Sequence, residues 1–263
     1  MADEDDRWVV PSVNVHLRLA QRVHTHWEGC PSEAPFRPDD PGHVNAFRHG
    51  SIGPDLGYFP GGYTPLSDLA HTYRSADLTR ALIRSARSPR QRAFAWGWVT
   101  HVLAATHVHP LVGCAVGELH YGSPRFFVDG DFDRVTHVRV EAGIDALYAE
   151  RFPEIRRGRI DPVFGARSIR YLVDAYERTY GAAPEGGHFQ QAPHRAGRRA
   201  MQGARLSVLS AIGMPGHAAR DHDEPGPVRA LRSVVGRQSV GLASMRPAPP
   251  PLWLIHAVRD VEE

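Results

Sequence analysis

The sequence predicts an all-α fold, and three observations carry that reading. Apolar residues recur at helical spacing in several long segments, and strand-like alternation is scarce. The 22 Pro and 25 Gly are spread among those segments rather than gathered in one tract, and no internal repeat is visible. A chain of 263 residues that is 42% hydrophobic can bury a substantial core, so the expectation is a single-domain helical bundle with long loops.

The stripe Val13, Val15, Leu17, Leu19, Ala20 and Val23 predicts a first helix over Pro11 to Trp27, with Ser12 as its N-cap. Cys30 to Gly62 is rich in Pro, Gly and Asp without a sustained period, which predicts a long loop of the kind that carries function. Leu66 to Arg87 reads as one helix with Ser67 as a cap. Ser88-Pro89 opens another that runs to about His107 and is broken at His109-Pro110, because proline in the first turn suits a helix start and later ends one. Leu111 to Asp133 is mixed and holds two Gly-rich turns. Further helices are expected at Arg134 to Phe152, Ile169 to Tyr180 and Arg195 to Ile212, with a short one at Val228 to Val240. Leu252 to Val258 suits an extended segment laid on the body. The domain reading is an acidic tail at 1–7, a helical domain at 8–213 and a Pro/Gly-rich extension at 214–263 packed on it.

All 31 basic residues are Arg, yet the formal charge is only +2 and no segment monopolises it, so nucleic acid is not an expected partner. Met1 to Asp6 has no positive or apolar region of a signal, and no run approaches the roughly 20 apolar residues of a membrane span. The expectation is a cytoplasmic protein without membrane insertion. Cys30 and Cys114 are too few for a thiolate zinc site, though one bridge between them stays open, so any metal must be held by His and carboxylate.

The stretch from Phe94 to Pro110 sets His101, His107 and His109 in an apolar run, a density that packing alone explains poorly. His101 shares a helix face with Ala105, and downstream His137 and Glu141 stand one turn apart, presenting an imidazole and a carboxylate to one point. Such donors suit zinc, which takes imidazole nitrogen and carboxylate oxygen at about 2.0 to 2.2 Å. By contrast, Phe94, Trp96 and Trp98 read as core, His49 as a loop anchor bonded to backbone, and His107 and His120 as bystanders. His188, His194, His217 and His222, and the Arg156-Arg157 and Arg198-Arg199 clusters, carry no assignment.

Taken in order, His16, the Gly53-Pro-Asp55-Leu-Gly-Tyr58 loop, His71, the Gly97 to Pro110 segment and the His137/Glu141 pair resemble the zinc-dependent phospholipase C family and its relatives, the single-strand zinc nucleases. The resemblance covers roughly residues 8 to 150, and nothing beyond Glu150 matches. It implies one zinc on Asp55, His71 and His101 and another on His109, His137 and Glu141. It also implies a third zinc that uses His16, the amine of an N-terminal Trp and a bridging Asp four residues after His101. Here that position is Ala105, and Trp8 does not begin the chain, so two losses point to the same missing ion. His16 is then left as a substrate-binding or acid/base group. His107 lies about 200° around the helix from Ala105 and is not expected to replace the lost ligand.

The function this implies is a metal-dependent phosphoester hydrolase with one or two zinc ions, in which Asp55 takes the proton of the attacking water. The substrate expected is a small intracellular molecule, phosphorylated or acidic. Two alternatives use the same residues: a repurposed biosynthetic metalloenzyme, a lyase or an iron- or manganese-dependent oxidoreductase, and a non-catalytic family member.

Overall fold

The computed structural model describes residues 13–58, 63–152, 166–182, 184 and 253–254, and among them there are seven α-helices and no strand. In chain order the helices are α1 (Val13–Gly29), α2 (Pro41–Gly50), α3 (Thr64–Thr72), α4 (Ser75–Ser85), α5 (Pro89–Tyr121), α6 (Arg134–Arg151) and α7 (Ala166–Tyr180), with a 3-10 turn at Gly53–Gly57 between α2 and α3. The all-α expectation holds. Expectations for Ser12, Arg195 to Ile212 and Val228 to Val240 fall outside the described residues.

The central element is α5, which packs against α1, α2, α4 and α6. Ser88 caps its start by accepting from the Gln91 N–H, with Pro89 in the first turn, as the sequence predicts. It does not break at Pro110 but runs to Tyr121 and ends at Gly122 in the left-handed conformation. Pro110 cannot donate to the Thr106 carbonyl, yet both residues are exposed, so water can satisfy the orphan oxygen. By length and composition α5 would also suit a bilayer span, contrary to the expectation of no such run. In this fold its apolar residues fill the core: Ala93, Ala95, Trp98, Val112, Ala115 and Val116 are all at most 1% exposed.

Three further departures concern local signals. Inside the expected Cys30 to Gly62 loop lies α2, whose N-cap Asp40 accepts from the Gly42 and His43 N–H groups ahead of Pro41. The expected single helix from Leu66 to Arg87 is two, because Tyr73 is extended and Arg74 is left-handed at φ 54°. Its stripe stays in register across this break, which is why periodicity alone misses it. Ser67 is not a cap; it lies inside α3 and its hydroxyl accepts from the Gly57 N–H, tying the 3-10 turn to α3.

Two apolar cores flank α5. One joins α1 to α4, α5 and α7 around Phe47, Leu78, Leu82, Trp98 and Leu172; the other joins α1, α5 and α6 around Val15, Val112, Val116, Val140 and Ile144. Burying such side chains stabilises by about 1.5–3 kcal/mol each. Phe94 and Trp98 are core, as predicted. From α7, Tyr171, Tyr176 and Tyr180 donate to the Leu82, Leu66 and Leu69 carbonyls, clasping α3 and α4. Trp253 and Leu254 do lie on the body, with Leu254 fully buried in the second core, but they are helical rather than extended. Cys30 and Cys114 are both free thiols.

The backbones of α2 and α5 approach each other closely. A methyl on Gly97 would overlap the Phe47 carbonyl oxygen, and one on Gly50 would overlap that of Phe94. Gly97→Ala is therefore expected to destabilise the protein by about 3 kcal/mol in urea unfolding, because neither helix backbone can yield cheaply. Gly29→Ala, where a methyl would meet nothing within 4 Å, should change stability by less than about 1 kcal/mol.

Candidate metal centre

One face of α5 carries His101, Ala105 and His109 at four-residue intervals, and all three line a cavity of about 1090 Å³. Its other walls come from α1 (His16), the 3-10 turn (Asp55, Tyr58), α3 (Asp68, His71) and α6 (Arg134, His137, Glu141). The loop after α5 closes one side. It folds back so that the Val128 N–H donates to the Gly113 carbonyl, and Gly117 lies against the Phe126 backbone, which a methyl would block.

The first cluster is Asp55, His71 and His101. His71 Nδ1 is 2.8 Å from the Ser67 carbonyl and His101 Nδ1 is 2.9 Å from the Ser51 carbonyl. Carbonyl oxygen only accepts, so each Nδ1 carries the hydrogen and each Nε2 presents a lone pair. Those two Nε2 atoms lie 3.1 Å apart, and Asp55 Oδ1 is 3.3 Å from the first and 3.9 Å from the second. Three acceptors thus converge where only a cation or an added proton can offset their repulsion. His16 joins them: its ring stacks on that of His101 with centroids 3.7 Å apart, and its donor atom lies within 4.8 Å of those of Asp55 and His101. His16 Nδ1 and Asp55 Oδ2 are buried without a hydrogen-bond partner among the described residues.

The second cluster is His109, His137 and Glu141. Glu141 Oε1 is 3.1 Å from His137 Nε2 and 3.4 Å from His109 Nε2. The two clusters adjoin, since the rings of His71 and His109 lie nearly parallel with centroids 6.3 Å apart. All six residues expected as ligands therefore meet in one cavity, together with His16.

Burial and neighbouring charge divide the titration of these groups. Burial holds His16 down to about 3, with His109 and His71 pushing the same way; burial and then His16 hold His101 well below the ordinary imidazole range. For His71 burial opposes the charge, but the Asp55 hydrogen bond and carboxylate outweigh it and raise the pKa. For His137 burial likewise opposes the charge, and the Glu141 hydrogen bond and carboxylate outweigh it. In the metal-free protein the neighbouring carboxylates therefore favour a proton on His71 and on His137, where a cation would otherwise lie.

The sequence assigns no role of their own to four residues at or beside this site. Tyr58 donates to Asp68 Oδ1 at 2.9 Å, and the Arg134 guanidinium lies 3.7 Å from the same oxygen and 5.3 Å above the Tyr58 ring centroid. Arg134 opens α6 three residues before His137, and only the fold turns it into the cavity. Asp145 is buried one turn beyond Glu141, a spacing legible in the sequence as a continuation of the His137/Glu141 series. Bystanders behave as expected: His107 is exposed and bonded to the Leu103 carbonyl, and His120 is half-exposed and paired with Asp133. His49 is not on a loop but inside α2, where burial holds it down to about 3 against its Asn45 backbone bond.

Together the fold and the cavity define an all-helical protein whose buried donor sets have the composition of divalent-metal sites. The zinc-dependent phospholipase C family matches residues 15–183, well over half of the chain, and the protein belongs to that family. The match runs through α7, past the Glu150 limit of the motif resemblance, and α7 supplies Tyr171, Leu172 and Tyr176 to the core. No match was found among curated proteins or among solved structures.

The depressed histidines have a consequence for acid stability. With a chelator present, the unfolded chain binds protons on His16 and His49 below about pH 6.5 that the folded chain refuses until about pH 3, so stability falls as pH drops through that window. Asp145, raised from 3.8 to about 7, acts in the opposite sense and lowers stability as pH rises through its window. Urea unfolding of His49→Leu between pH 7 and pH 4 should show a shallower loss than the parent; an equal slope would mean that His49 does not contribute to the acid sensitivity.

Proposed function

We propose that this protein is a metal-dependent phosphoester hydrolase acting on a small phosphorylated substrate. The family supports a zinc-dependent hydrolase. The observation that carries the reading is the convergence of the His71 and His101 Nε2 lone pairs, 3.1 Å apart beside Asp55, with both Nδ1 hydrogens committed to backbone carbonyls. Asp55, His71 and His101, with His16 adjoining, would hold one zinc; His109, His137 and Glu141 would hold a second. Zinc in such a setting supplies Lewis acidity toward a phosphoryl oxygen and lowers the pKa of a nearby water toward 7.

The chain's own residues then have distinct tasks. Asp55 Oδ2, buried and unpartnered among the described residues, is the acceptor for the proton of the attacking water. His16, held neutral by burial, would keep a lone pair available as a fourth ligand of the zinc in the first cluster. Arg134 offers guanidinium donors from the wall that also bears the second set, where they suit the remaining phosphate oxygens. Tyr58 and Asp68 fix its direction.

Protein purified without chelator is expected to carry one to two equivalents of zinc and to hydrolyse bis(p-nitrophenyl) phosphate. His137→Ala should lower the zinc content and abolish the hydrolysis. Fully folded protein with less than about half an equivalent of any transition metal would overturn the reading. Arg134→Gln is expected to raise KM for a phosphoester by about tenfold, the size of one charge-assisted hydrogen bond, with a smaller change in kcat. An unchanged KM would take Arg134 out of substrate binding.

A further inference from the structure

We propose that Asp145 is a positioning residue that sets His16 in the first cluster from its seat on α6, beside the second. The inference rests on the reading that both clusters hold zinc. His137, Glu141 and Asp145 stand at four-residue intervals and share one face of α6, while Val140, Ile144 and Tyr148 form the adjoining apolar stripe in the core. The Asp145 carboxylate lies outside the cavity lining and ends on the first turn of α1. Its Oδ1 accepts from the backbone N–H groups of Asn14 at 3.0 Å and Val15 at 3.3 Å. The Asn14 amide returns the contact, donating to the Asp145 carbonyl at 3.2 Å and to Oδ2 at 3.4 Å. Every partner is buried and separated by about 130 residues of sequence, so this is a tertiary clasp and not a local turn.

The first N–H groups of a helix have no partner within it, and a carboxylate supplied by another helix caps them while meeting the positive end of the helix dipole. His16 is the next residue after Val15. The clasp therefore fixes the depth and rotation of α1 at the residue whose ring stacks on His101. The same carboxylate lies one turn from Glu141, so a single helix holds donors of one cluster and orients a member of the other. Groups that aim a ligand without touching the metal characteristically tune its affinity by about 10- to 100-fold.

The test measures zinc affinity of the full chain by competition with a chromophoric chelator, the phase that depends on His16 being the one lost in His16→Ala. Asp145→Ala should weaken that phase by about 10- to 100-fold and leave the phase lost in His137→Ala within about twofold. Asp145→Asn keeps an acceptor for the two N–H groups and should restore most of the affinity, which a general loss of stability would not explain. Placed on His16→Ala, Asp145→Ala should add nothing further to zinc binding. Asn14→Ala removes only the amide bonds and should weaken the same phase by about threefold, giving a milder variant should Asp145→Ala not fold. Wild-type affinity in Asp145→Ala, or an equal loss with and without His16, would overturn the inference while zinc binding stands. Absence of zinc from the wild-type chain would overturn the hydrolase reading and this inference with it.

Discussion

The continuity of α5 through Pro110 is the constraint on which the rest of the structure depends. A helix ending at His107 would leave His109 without a fixed direction, whereas an unbroken one sets His101, Ala105 and His109 on one face. Proline inside a helix costs about 3 kcal/mol, and the site tolerates it because the carbonyl it cannot satisfy is on the exposed side. The same helix builds both flanks of the cavity through glycines. Gly97 admits α2, and with it the Ser51 carbonyl that fixes the His101 tautomer; Gly113 and Gly117 admit the returning loop that walls the cavity at Val128 to Asp131.

Within that frame the site is a concentration of buried acceptors. Asp55 and Glu141 are each 6% exposed and His101 is 1% exposed, so none can be satisfied by bulk water. The two apolar cores on either side offset this cost, and the backbone carbonyls of Ser51 and Ser67 commit the imidazole hydrogens before any ligand arrives. Preorganisation of this kind keeps lone pairs aimed at one another in spite of their repulsion. His71 and His137 respond by holding protons more tightly, and His16 and His101 by refusing them. A cation entering either cluster competes with a proton for His71 or His137 and meets no such competition at His16 or His101.

The helical class, the starts of α5 and α6 and the pairing of His137 with Glu141 were legible from local spacing: Ser88-Pro89 opens a helix, and His137 to Glu141 spans one turn. That Asp55, His71, His101 and His109 would line the same cavity was implied only by the family resemblance. What was not legible depends on distance or on exposure. Nothing near Pro110 says that the Thr106 carbonyl will face water, and nothing near Arg74 breaks the apolar stripe that crosses it. The Asp40-Pro41 start of α2 was present as a signal and was masked by the surrounding Pro and Gly. Arg134 and Asp145 matter through partners on α3 and α1, reached only when the chain has folded, although the four-residue step from Glu141 already sets Asp145 on the ligand face.

Ala105 gives the proposed site its electrostatic character. Two zinc ions would bring a charge of +4, and Asp55 and Glu141 answer only half of it; the methyl of Ala105 lines the same wall between His101 and His109 and contributes none. Dications held in the two adjoining clusters of a low-dielectric cavity would repel strongly unless an anion lay between them. With no side chain at 105 to serve, the balancing charge falls to whatever enters from solvent, and Arg134 adds a further positive group beside it. Under the proposed function, a phosphate ester would bring that missing charge. Its charge would complete the site, so affinity for anions and affinity for the second metal are expected to rise together, each ligand strengthening the other by the same factor.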